Sequence, residues 1–478
     1  MAFFTTPGGC GAAGQATGRR WRRAYALVAA FTLAGCMHYT PAPRTLGGTA
    51  SAFDGRAVSL AEAAQRCRDL TSTAVCDPAR PDRLLLFAAV LVGNPVITAA
   101  RKHLESVEAA ERAAHVSPGP TLTLSAEYAG AAPDPSPWLF GAIGDVPLDM
   151  GGRRSTRIAG ASLAVVSARY DLAEAVWSAR MQMTRGLAEM AIGDRQAAVA
   201  RDLVQLQERR LLAMERRVAA GETSRAELER ARNDLADARH REAAAVVRHD
   251  LGKAALAAAL GVPVANVPPL NVGWDGFEMP GSVVLVTDAE RRRAMLARAD
   301  LLKAMVAYDQ AELDLRAEVA KQYPAISVGP GFTWERGLVK IPFNIGLALP
   351  PLDLNRHNVL AAQARRSEAA AQLEAVYAAA VGGVDAALAE AQAARTALTQ
   401  LRTLDLPVAQ RLALQADREI AAGAIDRTDW AAAQSGRLVT QLGELEALAR
   451  VLTADIALED ALRRPLSGPE TEIEGSGK

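Results

Sequence analysis

The chain has 478 residues, half of them hydrophobic but only 5% aromatic, and its formal net charge is zero. That length allows two or three ordinary domains, and an alanine-rich, charge-laced composition favours helix. With no basic surplus to pair with phosphates, nucleic-acid binding is set aside as a class.

In chain order, Arg19, Arg20, Arg22 and Arg23 form a charged leader, and residues 24–33 are apolar but too short to span a bilayer. Residues before Arg19 read as an overlong start. The apolar run ends in Leu33-Ala34-Gly35-Cys36, which resembles a bacterial lipobox. That resemblance implies cleavage before Cys36 and a diacylglyceryl group on its sulfur. The alternative is a plain secretory signal with an incidental cysteine. Met37 follows where inner-membrane lipoproteins carry aspartate, so the resemblance implies an outer-membrane destination. Cys10 leaves with the leader; Cys67 and Cys76 remain, nine residues apart, and read as a disulfide or as two free thiols. The six histidines lack ligand spacing, so neither a metal site nor a cofactor is expected.

Residues 36–80 lack strong periodicity, and a helix is expected over 81–117, with Pro81 near its start and a kink at Pro95. A hairpin follows over 118–150. In 121–128, Leu122, Leu124, Ala126 and Tyr128 alternate with Thr121, Thr123, Ser125 and Glu127, giving one apolar and one polar face. Its second strand is placed at 138–148. Residues 155–219 contain no proline and keep helical spacing, which makes a helix of ~98 Å at 1.5 Å per residue. A return helix over 225–260 completes a first hairpin, 151–262, and an irregular segment covers 263–288.

The plan then repeats. A helix is expected over 289–322, and strands near 323–334 and 339–349. Ile326, Val328, Phe332 and Trp334 share one face, as do Ile341, Phe343, Ile345, Leu347 and Leu349. A second helical hairpin spans 355–464, its long arm kinked by Pro407, and 465–478 is a polar tail. Pro147-Leu148-Asp149 recurs as Pro351-Leu352-Asp353, an offset of 204, and Gly221 recurs as Gly423, an offset of 202. The spacing exceeds any solenoid period and reads as one duplicated half. By length, the helices at 225–260 and 289–321 are expected to stack on one another, as are those at 81–116 and 428–462.

Strands of this length with one apolar face suit a transmembrane β-barrel. A sheet in lipid cannot leave open edges, and four strands are too few to close. The chain is therefore expected to oligomerise, a cyclic trimer giving twelve strands and a dimer eight.

At this point several motifs together carry a resemblance. They are Asn94-Pro95, echoed by Arg298-Ala299-Asp300-Leu301; Tyr323-Pro324-Ala325-Ile326-Ser327-Val328 at the start of a strand; Pro147-Leu148-Asp149 with Arg153-Arg154; Pro351-Leu352-Asp353 with Asn355-Arg356; and Leu406-Pro407 before Gly423. In this order, and over nearly all of the mature chain, they resemble the TolC-like outer membrane efflux protein family. The resemblance implies a mainly α chain with a membrane β part. Three copies would form a twelve-stranded outer-membrane barrel continuous with a periplasmic helical barrel. Its function would be a passive exit duct, not an enzyme, joined through a periplasmic adaptor to an inner-membrane pump of RND type. It implies adaptor-docking tips at Gly221, Glu222, Thr223, Ser224 and at Gly423, Ala424, Ile425, Asp426, and a periplasmic gate residue at Asp429, with Ala432 where a second acid would stand. Arg153, Arg154 and Arg356 are expected to pair with Asp149 and Asp353 or with a neighbouring subunit. The Pro-Leu-Asp form and the lipobox resemble the CzcC-like heavy-metal branch. The competing readings are a periplasmic hairpin adaptor or structural lipoprotein, and a duct for drugs or type I secretion.

Overall fold

A computed structural model of the chain describes residues 39–71, 76–79, 81–128, 130, 137–148, 151–269, 287–335 and 337–466. Two units separate. In residues 1–55 the described element is α1 (Leu46–Asp54), capped by the Thr45 hydroxyl accepting from the Gly48 amide at 3.1 Å.

The second unit begins at Arg56. Ser59 caps α2 (Leu60–Leu70), which lays Ala63, Ala64 and Cys67 against α3 (Arg83–Gly93). Cys67 is disulfide-bonded to Cys76, with their Cα atoms 6.0 Å apart. The helix expected over 81–117 is two helices, α3 and α4 (Pro95–Ala114), bent by 51°. Asn94 makes the break, because a residue before proline avoids the α region and asparagine is a strong N-cap. Its side-chain oxygen accepts from Val96 N at 2.8 Å and Ile97 N at 3.1 Å.

Next come β1 (Thr121–Tyr128) and β2 (Trp138–Leu148), then α5 (Arg153–Ala219) of 67 residues and α6 (Arg225–Leu260). The two helices approach closely where side chains are missing. A Cβ on Gly252 would sit 2.7 Å from Met190 N, and one on Gly193 2.6 Å from His249 N.

The second half differs from expectation at two points and refines it at a third. The helix over 289–322 is broken into α7 (Asp288–Ala297) and α8 (Ala299–Ala320) by Arg298, whose backbone is extended. The last strand is broken into β4 (Leu338–Lys340) and β5 (Phe343–Ala348), both paired with β3 (Ala325–Glu335). Pro342 causes this, since it has no N–H to give to the ladder. The register is unchanged across the break: Thr333 faces Lys340 and Pro330 faces Phe343. Finally, the interruption expected at Pro407 takes the form of a π-turn just before it. α9 (Arg356–Gln400) passes through a π-turn at Leu401–Asp405 into α10 (Leu406–Ala421), which puts the proline in a first turn, where no N–H is needed. The chain closes with α11 (Arg427–Leu462).

The expected stacking partners are exchanged. Asn94 Nδ2 donates to Ala259 O at 2.8 Å, so α6 stacks under α4. Arg298 Nη1 donates to Ala461 O, so α11 stacks under α8. Equal length cannot tell one partner from another. The polar plugs can, and they keep the repeat's own offsets, 204 between Asn94 and Arg298 and 202 between Ala259 and Ala461. In this unit α5 touches α4 and α6 on one side and α8 and α11 on the other, and α9 lies beyond α8 and α11.

Candidate conduit: the apolar strand face and the hairpin tips

The sheet runs β1-β2-β3 and then β4 with β5, every pair antiparallel. Paired residues share a face. The register therefore puts Leu122, Leu124 and Tyr128 with Trp138, Phe140, Val146 and Leu148, then with Ile326, Phe332 and Trp334, then with Val339, Phe343, Ile345 and Leu347. Most of this face is open: Leu124 is 72% exposed, Phe343 67% and Ile345 68%. Tyr128, Trp138, Phe140 and Trp334 form a ring ladder at the hairpin end, with centroids 5.0, 5.9 and 6.1 Å apart. The opposite face is mixed: Thr121, Thr123, Ser125, Ser327, Thr333 and Asn344 share it with glycines and with Leu139, Ile143 and Leu338. A Cβ on Gly141 would meet the Ser125 hydroxyl, and one on Gly346 the Ser327 hydroxyl. A water-soluble sheet buries its apolar face; this one exposes it, as a lipid-facing sheet does. No single described helix is long and apolar enough to cross a membrane.

β1 and the β4–β5 strand are edges among the described residues. Gly331 N donates to Pro342 O at 2.6 Å, so Pro342 turns its backbone toward β3. Its missing N–H is thus spent inside the chain. The free edge keeps the N–H groups of Ile341, Phe343, Ile345 and Leu347 pointing outward.

Where strands become helices, arginines cap the neighbouring helix ends. Arg153 Nη2 donates to Tyr323 O at 3.0 Å, Arg154 Nη2 to His115 O at 2.9 Å, and Arg157 to Ala114 O and Val116 O, both at 3.2 Å. These carbonyls close α4 and α8, where a cation is favoured by the helix dipole. Among the described residues these arginines meet carbonyls, and the pairing expected with Asp149 lies outside them. Asp353 accepts from the Asn355 amide at 3.0 Å. Arg157 was missed, although it stands one helical turn after Arg153. Asn355, 2% exposed, donates to Glu318 O at 2.8 Å and Glu318 Oε2 at 2.9 Å. Hydrogen bonds from Lys321 and then Asn355 hold the Glu318 carboxyl below its ordinary pKa.

At the far end, both expected turns are Schellman closures. Gly221, at φ +76°, gives its N–H to Val218 O, and Glu222 gives its own to Arg217 O at 2.8 Å. Gly423, at φ +70°, does the same with Ile420 O, and Ala424 with Glu419 O at 2.8 Å. Ser224 then caps α6, and the Asp426 carboxylate caps α11, accepting from Thr428 N and Asp429 N at 2.8 Å each. No Cβ on Gly221 or Gly423 would meet anything within 4 Å, so both turns are open to an approaching surface.

Arg217 joins the two tips, a link that sequence spacing could not show. Its Nη1 lies 3.0 Å from Asp426 Oδ2 and 3.2 Å from Thr428 Oγ1. The Asp429 and Thr428 amides and Arg217 hold Asp426 below the ordinary carboxylate pKa. Further up, Gln207 Nε2 donates to Ser435 Oγ at 2.9 Å, and Arg248 Nη1 meets Glu446 Oε2 at 2.8 Å. Asp429 lines a 760 Å³ groove between α10 and α11 with Leu404, Val408 and Leu412. Cys36 lies outside the described residues.

The sequence profile of the outer membrane efflux protein family matches residues 86–262 and 291–462, both halves of the repeat. The chain belongs to the outer membrane efflux protein family. No curated protein sequence matches it. Among solved structures it is similar to the Campylobacter jejuni CmeC outer membrane channel, with a TM-score of 0.67 and 12% identity over 92% of this chain and 97% of that one. The open state of the Neisseria gonorrhoeae MtrE outer membrane channel gives 0.66 and 16% over 80% and 89%. The outer membrane protein VceC of Vibrio cholerae gives 0.65 and 16% over 80% and 96%. At these identities the likeness is one of fold, and the fold is the TolC-like one. Members of this family are channels, which suits a protein whose most unusual surfaces are a wall and two turns.

Proposed function

We propose that this outer membrane efflux protein is the exit duct of a tripartite pump, assembled as a homotrimer. The observation that carries it is the agreement of sheet and helices about which flanks are bare. β1 leaves an unpaired edge on the flank of α4 and α6, and β4–β5 leaves the other on the flank of α9 and α10. One head-to-tail contact between copies covers both levels at once, and three copies supply twelve strands, a closed barrel with no edge in lipid. The apolar face then meets lipid and the polar face lines the bore.

Cys36 anchors the chain to the outer membrane through its lipid, and the turns at Gly221–Ser224 and Gly423–Asp426 receive a periplasmic adaptor that joins an inner-membrane pump of RND type. The Pro-Leu-Asp steps and the lipobox favour a heavy-metal cation as cargo over drugs or secreted protein. The mouth of the helical tunnel narrows near Asp429.

Cysteines at Leu124 and at Ile345 test the assembly. Oxidised outer-membrane fractions should yield a crosslinked trimer that survives denaturation; recovery as a soluble periplasmic monomer overturns the reading. Cys36→Ser should lose palmitate label. Arginine at Gly221 or Gly423 should abolish efflux while trimers persist. A deletion strain should become sensitive to divalent metals; sensitivity to drugs alone would rule out the metal branch.

A further inference from the structure

We propose that Glu470, in the acidic C-terminal stretch Glu470-Thr471-Glu472-Ile473-Glu474, binds the buried guanidinium of Arg180 and locks the end of the chain onto α5 and α11. Such a clasp lies within one copy and goes beyond the duct, which stands or falls separately.

Arg180 stands on α5 with 3% of its surface exposed. Its Nη1 donates to Glu459 Oε2 of α11 at 3.1 Å, and the Trp177 ring covers it, 5.1 Å from its Cζ. Its Nε and Nη2 meet no acceptor among the described residues and are closed to water. These two N–H groups share one edge of the planar guanidinium, the edge that takes a carboxylate by two parallel bonds. Buried charged donors without acceptors are costly, so this edge calls for a carboxylate that folds in with the chain rather than for solvent. The neighbours have none to lend. Arg83, Arg180, Arg185 and Arg463 already share Glu174, Glu459 and Asp460, four cations on three anions among the described residues.

The acidic stretch starts within reach. Leu466 N donates to Glu459 Oε1 at 2.9 Å, while Oε2 of the same carboxylate faces Arg180. The described residues therefore end one carboxylate away from the guanidinium. Glu470 comes four positions after Leu466, a span of ~14 Å at most at ~3.6 Å per residue. Residues 467–478 hold three glutamates against Lys478 alone, so their charge complements the arginine surplus. Glu470 is the first of the three and needs the shortest ordered chain.

Glutamyl-specific proteolysis of the purified full-length chain tests the clasp. Cleavage after Glu470 should run at least about ten-fold slower than in a free peptide of residues 467–478, as local protection of a docked segment requires. Equal rates overturn the inference. Glu470→Gln should lower the melting temperature by about 3 °C, and in an Arg180→Met background the same change should cost nothing further. An additive loss overturns the clasp. If Arg180→Met does not accumulate, proteolysis of the unaltered chain decides alone. A melting temperature of the unaltered chain that rises with inorganic phosphate shows the Arg180 edge open to a free anion, and overturns the tail as its occupant. Trimers with an unprotected tail leave the duct standing without the clasp; a protected tail on a soluble monomer does the reverse.

Discussion

At the scale of single residues, the tips concentrate the most chemistry in the fewest side chains. Asp426 caps α11 and accepts Arg217 from the other hairpin. Removing the cap by Asp426→Ala should cost about 1 kcal/mol of local stability, read as faster amide exchange at Thr428 and Asp429. Asp426→Asn keeps the cap and loses the ion pair, so the difference between the two variants isolates the contact between hairpins. Its acid sensitivity has a definite sign. The folded pKa is depressed, so the stabilisation is complete above the unfolded carboxylate value and fades as pH falls through the folded one. Caps of this kind are legible in sequence, because Gly423 and Asp426 follow local rules. Arg217 is not, because its partner lies 209 residues away and no local rule joins them.

Among elements, the decisive joints are the two breaks where one helix hands over to another. Asn94 plugs Ala259 O with a neutral amide, and Arg298 plugs Ala461 O with a guanidinium held by Asp300 at 3.0 and 2.7 Å. The hydrogen bonds of Arg298 hold the Asp300 carboxyl below its ordinary pKa against burial. Arg298→Met strands that carboxylate and should cost about 3–5 kcal/mol in thermal unfolding. The double variant with Asp300→Leu should recover much of the loss, and a sum of independent costs would show that the pair is not one unit. Asn94→Ala should cost less, about 1–3 kcal/mol, with little dependence on acid. Sequence showed Asn94-Pro95 as a joint, because proline marks one. At Arg298 only the repeat hinted at a break, since an arginine inside a good helical pattern carries no signal of its own. The last strand misled for the opposite reason: Ile341 to Leu349 alternates perfectly, and Pro342 sits on the face where alternation is not scored.

For the whole molecule, the sheet demands what no single copy supplies. A positive charge at the centre of the apolar face, Ile345→Arg, should destabilise the inserted form by about 2–4 kcal/mol, measured as loss of heat-modifiable trimers, while the same change at Asn344 on the polar face should be tolerated. Alternation made the apolar face readable from sequence; that one copy cannot suffice followed only from the lipid's intolerance of edges. Because the two flanks are different surfaces, each copy holds its neighbour by a contact that is never its own mirror. Such a contact has no closed pair, only a ring or an endless ribbon, and the angle between copies chooses. The barrel part of this chain therefore obeys mass action: its melting point should rise with protein concentration, and diluting the trimer is a way to unfold it.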